Sequence, residues 1–110
     1  MAGRMEKVDE LIAQQLGQII VSEVELPKGS IVTITNVKTS PDLKHAKVSL
    51  SILPDDNKRE VMSLLINNAY EFQKILNEKV TLRSVPKLRF QIDDSGQKAA
   101  ELEALLDNLQ

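Results

Sequence analysis

The side chains of this 110-residue chain that could do chemistry are few and scattered. Its one histidine, His45, opens a β-like run between Lys44 and Lys47. Ser40, Ser49 and Ser51 lie near it but belong to no recognisable nucleophile motif. Asp93 and Asp94 are adjacent at a strand end, so they point apart and cannot share a proton as a catalytic pair. Capping is their expected role. With no cysteine there is neither a disulfide framework nor a thiolate zinc site, and one histidine excludes a multi-histidine metal centre. Gly3, Gly17, Gly29 and Gly96 are isolated, so no phosphate-cradling loop is present. Nucleophile, base and oxyanion donors do not assemble anywhere. No enzyme and no cofactor are expected.

The chemistry that remains is electrostatic. The chain holds 14 Lys and Arg against 16 Asp and Glu, a net charge of −2. That balance argues mildly against nucleic acid until its distribution is considered. Residues 93–110 hold five of the acids and one base, which leaves 13 bases against 11 acids in the rest. Residues 74–89 hold Lys74, Lys79, Arg83, Lys87 and Arg89 against Glu78 alone, and a second cluster joins Lys38, Lys44 and Lys47 against Asp42. Any single lysine is ordinary solvated surface. Two clusters make a basic face worth considering.

The elements that would position these cations are legible in the apolar pattern. Ala46, Val48, Leu50 and Ile52 alternate with Lys47, Ser49 and Ser51, the period of a strand with one covered face. Residues 31–39 and 45–53 read as an antiparallel hairpin, with Pro41 presetting a type I turn and Ser40 and Asp42 able to bond nearby backbone N–H groups. Val8, Leu11, Ile12, Leu16, Ile19 and Ile20 fall at helical spacing from Met5 to about Glu25, and Pro27 and Gly29 end that helix. A second helical register runs through Val61, Leu64, Leu65, Phe72, Ile75 and Leu76 to about Asn77. Asn67 and Asn68 have poor helix propensity. A kink near Ala69 and a straight helix with two solvent-facing asparagines both fit the pattern. Leu88, Phe90 and Ile92 mark a short third strand. Asp94 and Gln97 have capping-box spacing for a last helix whose apolar stripe is Ala99, Leu102, Leu105, Leu106 and Leu109.

The length suits one domain over residues 1–110, frayed at 1–4 and closed by an acidic C-terminal helix over 96–110. The expected fold is α+β, in the order α-β-β-α(kinked)-β-α, with a three-stranded mixed sheet covered by helices on one face. The other face is left partly open to display Lys47 and Ser49. Apolar runs are only a few residues long and the N-terminus lacks a signal-peptide core, so a cytoplasmic location without membrane contact is expected.

Two stretches carry a family likeness. Residues 40–51, SPDLKHAKVSLS, and 83–95, RSVPKLRFQIDDS, resemble the two signature segments of bacterial ribosome-binding factor A, in the same order around a helical region of the right length. The first and last helices match as well. The resemblance implies a type II KH-like fold and a non-enzymatic, monomeric factor in late maturation of the small ribosomal subunit. It implies binding to free 30S subunits and 16S rRNA near the 5′-terminal helix, a role in rRNA processing and support of growth in the cold. It also implies an Ala-x-Gly kink between two helices, at positions matched here by Ala69-Tyr70-Glu71. Glutamate in place of that glycine favours continuing helix and adds negative charge.

On this reading RNA contact falls to Lys38, Lys44, His45, Lys47, Lys74, Arg83, Lys87 and Arg89. Aromatic side chains are scarce, and Phe72 and Phe90 fit the core pattern, so recognition would rest on phosphate position and RNA shape rather than on a stacking platform. The acidic last helix would face away or contact a ribosomal protein. The rival reading is a protein-interaction module without direct RNA contact.

Overall fold

The computed structural model describes residues 3–82 and 84–93. Helix α1 (Arg4–Glu23) leads into strands β1 (Ile31–Thr39) and β2 (His45–Leu53), followed by a short 3-10 turn (Asp55–Asn57), α2 (Lys58–Asn67), α3 (Ala69–Lys79) and β3 (Lys87–Ile92). The expected last helix over 96–110 and the Asp94 cap lie outside the described residues. Arg4, expected to be frayed, opens α1 instead, and the Lys7 N–H donates to the Gly3 carbonyl at 3.2 Å.

The sheet order is β1-β2-β3, with β1 antiparallel and β3 parallel to β2. The helices pack on one side of this mixed sheet. Ala46, Val48, Leu50 and Ile52 point into the core, where they meet Ile12, Leu16, Ile19 and Ile20 of α1 and Val61, Leu65, Phe72 and Leu76 of α2 and α3. Each large aliphatic side chain so covered contributes roughly 1.5–3 kcal/mol from apolar burial. Phe72 and Phe90 meet edge to face, with ring centroids 6.2 Å apart and planes at 83°. That geometry adds about 0.5–1.5 kcal/mol beyond burial.

A register shift between Ile34 and Asn36 inserts Thr35 as an extra residue in β1. Without it the alternation would turn Val37 and Thr39 outward. With it, Val32 and Ile34 before the bulge and Val37 and Thr39 after it all face the helices. Thr39 is 1% exposed, and its N–H and hydroxyl both donate to the Asp9 carboxylate of α1. One acid thereby satisfies two buried donors and ties the helix to the end of the strand.

The hairpin turn follows the sequence closely. The Leu43 N–H donates to the Ser40 carbonyl at 2.9 Å around Pro41, closing the tight turn. Leu43 then takes φ 62°, a left-handed value uncommon for a side-chain-bearing residue. Asp42 holds the turn by accepting from the Ser40 hydroxyl and from the Lys44 N–H at 3.0 Å. Those two bonds, the hydroxyl first, hold its carboxyl below the ordinary aspartate value, with the charges of Lys44 and His45 adding to the effect.

The second helical register does break, at Asn68 rather than within Ala69-Tyr70-Glu71. Asn68 has φ −101° and ψ 5°, and its side-chain amide donates to the Leu64 carbonyl at 2.8 Å, beside its own N–H at 3.1 Å. An asparagine that supplies a side-chain donor to the end of α2 performs the interruption for which a glycine was expected. Ala69, Tyr70 and Glu71 form the first turn of α3. There the glutamate charge suits the helix N-terminus.

Candidate nucleic-acid interface

The outer side of the sheet, away from the helices, is ordered in rows by strand register. Lys38 pairs with Lys47 across β1 and β2, and Lys47 pairs with Arg89 across β2 and β3. Register partners on neighbouring strands project to the same side. Three cations from three strands therefore stand in one line, about 4.8 Å apart from strand to strand. His45 and Lys87 form the next row toward the hairpin turn. Lys38, His45, Lys47 and Arg89, with Ser40 and Pro41, line a shallow depression of about 250 Å³.

All of these side chains are exposed. Among the described residues the one ion pair is Lys58 with Asp55, at 3.3 Å, well outside the row. Asp42 lies near the row with its carboxylate engaged within the turn, and Asp9 and Glu10 of α1 stand at the β1 edge, Asp9 bonded to Thr39. Among the described residues the cations of the row therefore have no ion-pair partner, although the whole chain is slightly acidic.

The opposite direction along the strands is different. Asn36, Ser49 and Gln91 form a row of neutral polar groups, and the Gln91 amide donates to the Ser49 hydroxyl at 2.9 Å. Ser49, expected to be displayed, is covered to 6% exposure. Beyond it the Thr35 hydroxyl donates to the Asp93 carboxylate at 2.7 Å; the helix that Asp93 was expected to cap lies outside the described residues. Ile31 and Leu53 close the far end as an exposed apolar pair.

The structure brings together Lys38, His45, Lys47, Lys87 and Arg89. Lys44 sits beside them in the turn, and its carbonyl accepts from the Lys87 N–H at 2.9 Å. Lys74 does not join them. It is exposed on α3 half a turn from buried Phe72 and Leu76, so it stands on the far side of the helical layer. Arg83 lies outside the described residues. Tyr70 is 80% exposed beside a groove lined by Gln73, Asn77, Val85, Lys87 and Leu88.

Gln73 is a positioning residue that the sequence reading missed. Its side-chain oxygen accepts from the Leu88 N–H at 2.9 Å and its amide donates to the Pro86 carbonyl at 3.1 Å. It therefore fixes the start of β3, and with it the register that delivers Arg89. A polar residue within the apolar register of α3, thirteen residues before a proline, was the available signal.

These features define a KH-like α+β fold of the type II order whose outer sheet side carries a line of cations with no ion-pair partner among the described residues. A family model for ribosome-binding factor A matches residues 4–106. A ribosome-binding factor A from Coxiella burnetii is 36% identical over 107 residues, covering 97% of this chain and 90% of that protein. One from Pseudomonas paraeruginosa is 35% identical over 107 residues, covering 94% of this chain and 84% of the relative. The crystal structure of ribosome-binding factor A from Thermus thermophilus superposes with a TM-score of 0.68 at 17% identity, over 80% of this chain and 93% of that one. Coordinates of the Thermus thermophilus factor fitted into a cryo-electron-microscopy map of a 30S complex superpose with a TM-score of 0.59 at 17% identity, over 86% and 97% of the two chains. The chain belongs to the ribosome-binding factor A family.

Proposed function

We propose that this protein is a non-catalytic factor that binds the free small ribosomal subunit by docking the outer side of its sheet on 16S rRNA. Its role lies in late maturation of the subunit and processing of the rRNA near the 5′-terminal helix, including in the cold. The observation that carries this reading is the line of Lys38, Lys47 and Arg89, three cations without a carboxylate partner among the described residues. Like charges placed side by side cost stability in the free protein. Phosphates laid across them remove that cost and release counterions. The family likeness supports the same partner, since a related factor from Thermus thermophilus has been fitted into a 30S complex.

The test is co-sedimentation with purified small subunits across a salt series. Phosphate docking gives a steep loss of binding with salt, about 0.9 in log K per log salt for each duplex phosphate. Replacing Lys38, Lys47 and Arg89 together by serine is expected to weaken binding and lower that slope by about three. Undiminished binding by the triple variant overturns the docking surface. A shallow salt dependence of the unmodified protein favours a protein contact instead.

A further inference from the structure

We infer that the outer side of the sheet takes RNA as a single strand laid along β2, and that Asn36 and Gln91 select the base that follows the phosphate-binding rows. The inference rests on the docking reading above and adds to it a nucleotide geometry and two specificity-determining residues.

Three relationships carry it. The rows repeat every second residue, about 6.6 Å along the strands, a step comparable to one nucleotide of an extended RNA strand. Successive phosphates can therefore lie on the His45–Lys87 row and the Lys38–Lys47–Arg89 row, and the next nucleotide arrives over Asn36, Ser49 and Gln91. There the chemistry changes from cation to amide. The Asn36 side chain is exposed and has no hydrogen-bond partner among the described residues. Gln91 spends one amide N–H on Ser49, and its oxygen and second N–H have no partner among the described residues, which leaves them for a ligand. That bond also lays the side chain across β2, so its amide is held in place before a ligand arrives.

Exposed amides beside a phosphate track offer what base recognition requires, a donor and an acceptor side by side. Asparagine and glutamine match the N6–N7 edge of adenine in this way. Base edges are open to side chains in single-stranded RNA, whereas the deep groove of an A-form helix hides them. The amide row is useful only if the strand is unpaired.

The experiment measures binding of the full chain to short oligoadenylate, oligouridylate and oligocytidylate, and to an RNA duplex, by fluorescence anisotropy. The unmodified protein is expected to bind oligoadenylate most tightly and to prefer single strands to the duplex. Asn36→Ala and Gln91→Ala are each expected to lose about 5- to 100-fold in affinity for oligoadenylate while oligouridylate binding stays unchanged. Lys47→Ser is expected to weaken all three single strands alike and to lower the salt slope by about 0.7. Gln91→Glu keeps the side-chain shape and removes the amide donor, so its loss of adenine preference separates recognition from misfolding. Equal binding of all three homopolymers, or a preference that survives both alanine variants, overturns the base-reading row. A duplex bound as tightly as single strands overturns the extended-strand geometry. If the Lys47 variant leaves RNA binding intact, the docking surface fails and this inference with it.

Discussion

Lys47 and Arg89 are register partners on adjacent parallel strands, two cations side by side with no carboxylate in ion-pairing range among the described residues. Directly opposed like charges oppose folding by roughly 0.2–1 kcal/mol. Replacing Lys47 by threonine removes the repulsion and adds a good strand former. The variant is expected to melt a few degrees higher than the unmodified protein at low salt while binding RNA less tightly. Added salt should close the gap in melting temperature, because it screens the repulsion. A variant that melts lower at every salt concentration would show that Lys47 packs in a way its exposure does not suggest.

Gln73→Ala is expected to destabilise the fold by about 1–3 kcal/mol, since it strands the Leu88 N–H without its acceptor. The damage should be local first. Hydrogen exchange of the Leu88 amide and its β3 neighbours should quicken before that of Val48 or Leu50. Equal protection throughout the sheet would mean that Gln73 does not hold β3 in register.

Asp42 makes the hairpin turn sensitive to acid. Its carboxyl titrates below the unfolded aspartate value of 3.8 because of the Ser40 hydroxyl and the Lys44 N–H. The folded state is therefore favoured in full above pH 3.8, and that contribution fades as pH falls through the lower folded value. Asp42→Ala should be less stable than the unmodified protein at neutral pH, and the two melting curves should converge on acidification below pH 3.8. A constant difference down to strong acid would place the effect of Asp42 elsewhere.

Gly17→Ala is expected to stabilise the protein. Gly17 is inside α1, where glycine costs about 0.5–1 kcal/mol relative to alanine. A methyl group there would stand 4.0 Å from Ile34, an ordinary contact, in a groove of about 300 Å³ between α1 and β1. The melting temperature should rise by about 2–8 °C. A fall would indicate that the groove serves a close approach the free chain does not display.

Much of the fold was legible in the order of residues. The bounds of β2 follow from alternation and the end of β1 from Pro41, because a strand repeats every two residues and the turn demands particular backbone angles, whereas the Thr35 bulge in β1 was not legible. The apolar stripe of α1 is likewise a local property, and all four of its fully buried residues were visible in it. The helix break was visible only as poor propensity. Its position depends on whether the Asn68 amide finds the Leu64 carbonyl, a contact that propensity does not encode.

The candidate site divides in the same way. Charge clustering around the hairpin and near β3 was plain in the sequence, and it grouped Lys74 with the rest. Helical phase then carried Lys74 to the other side of the molecule. Gln73 escaped notice because its partners, Leu88 and Pro86, are distant in the chain.

By itself the sequence determined the extent of the β1–β2 hairpin, the apolar stripe of α1 and how many cations lie in each stretch. All of these follow from spacing within a single element. Only the tertiary structure decided that Lys38, Lys47 and Arg89 form one line, that Gln91 bonds to Ser49 and that Asn36 stands beside them with no partner among the described residues. Strand register made those choices. The alternation of Leu88, Phe90 and Ile92 already turns Arg89 away from the helices, but that Lys47 stands beside it depends on the pairing of two strands distant in the chain.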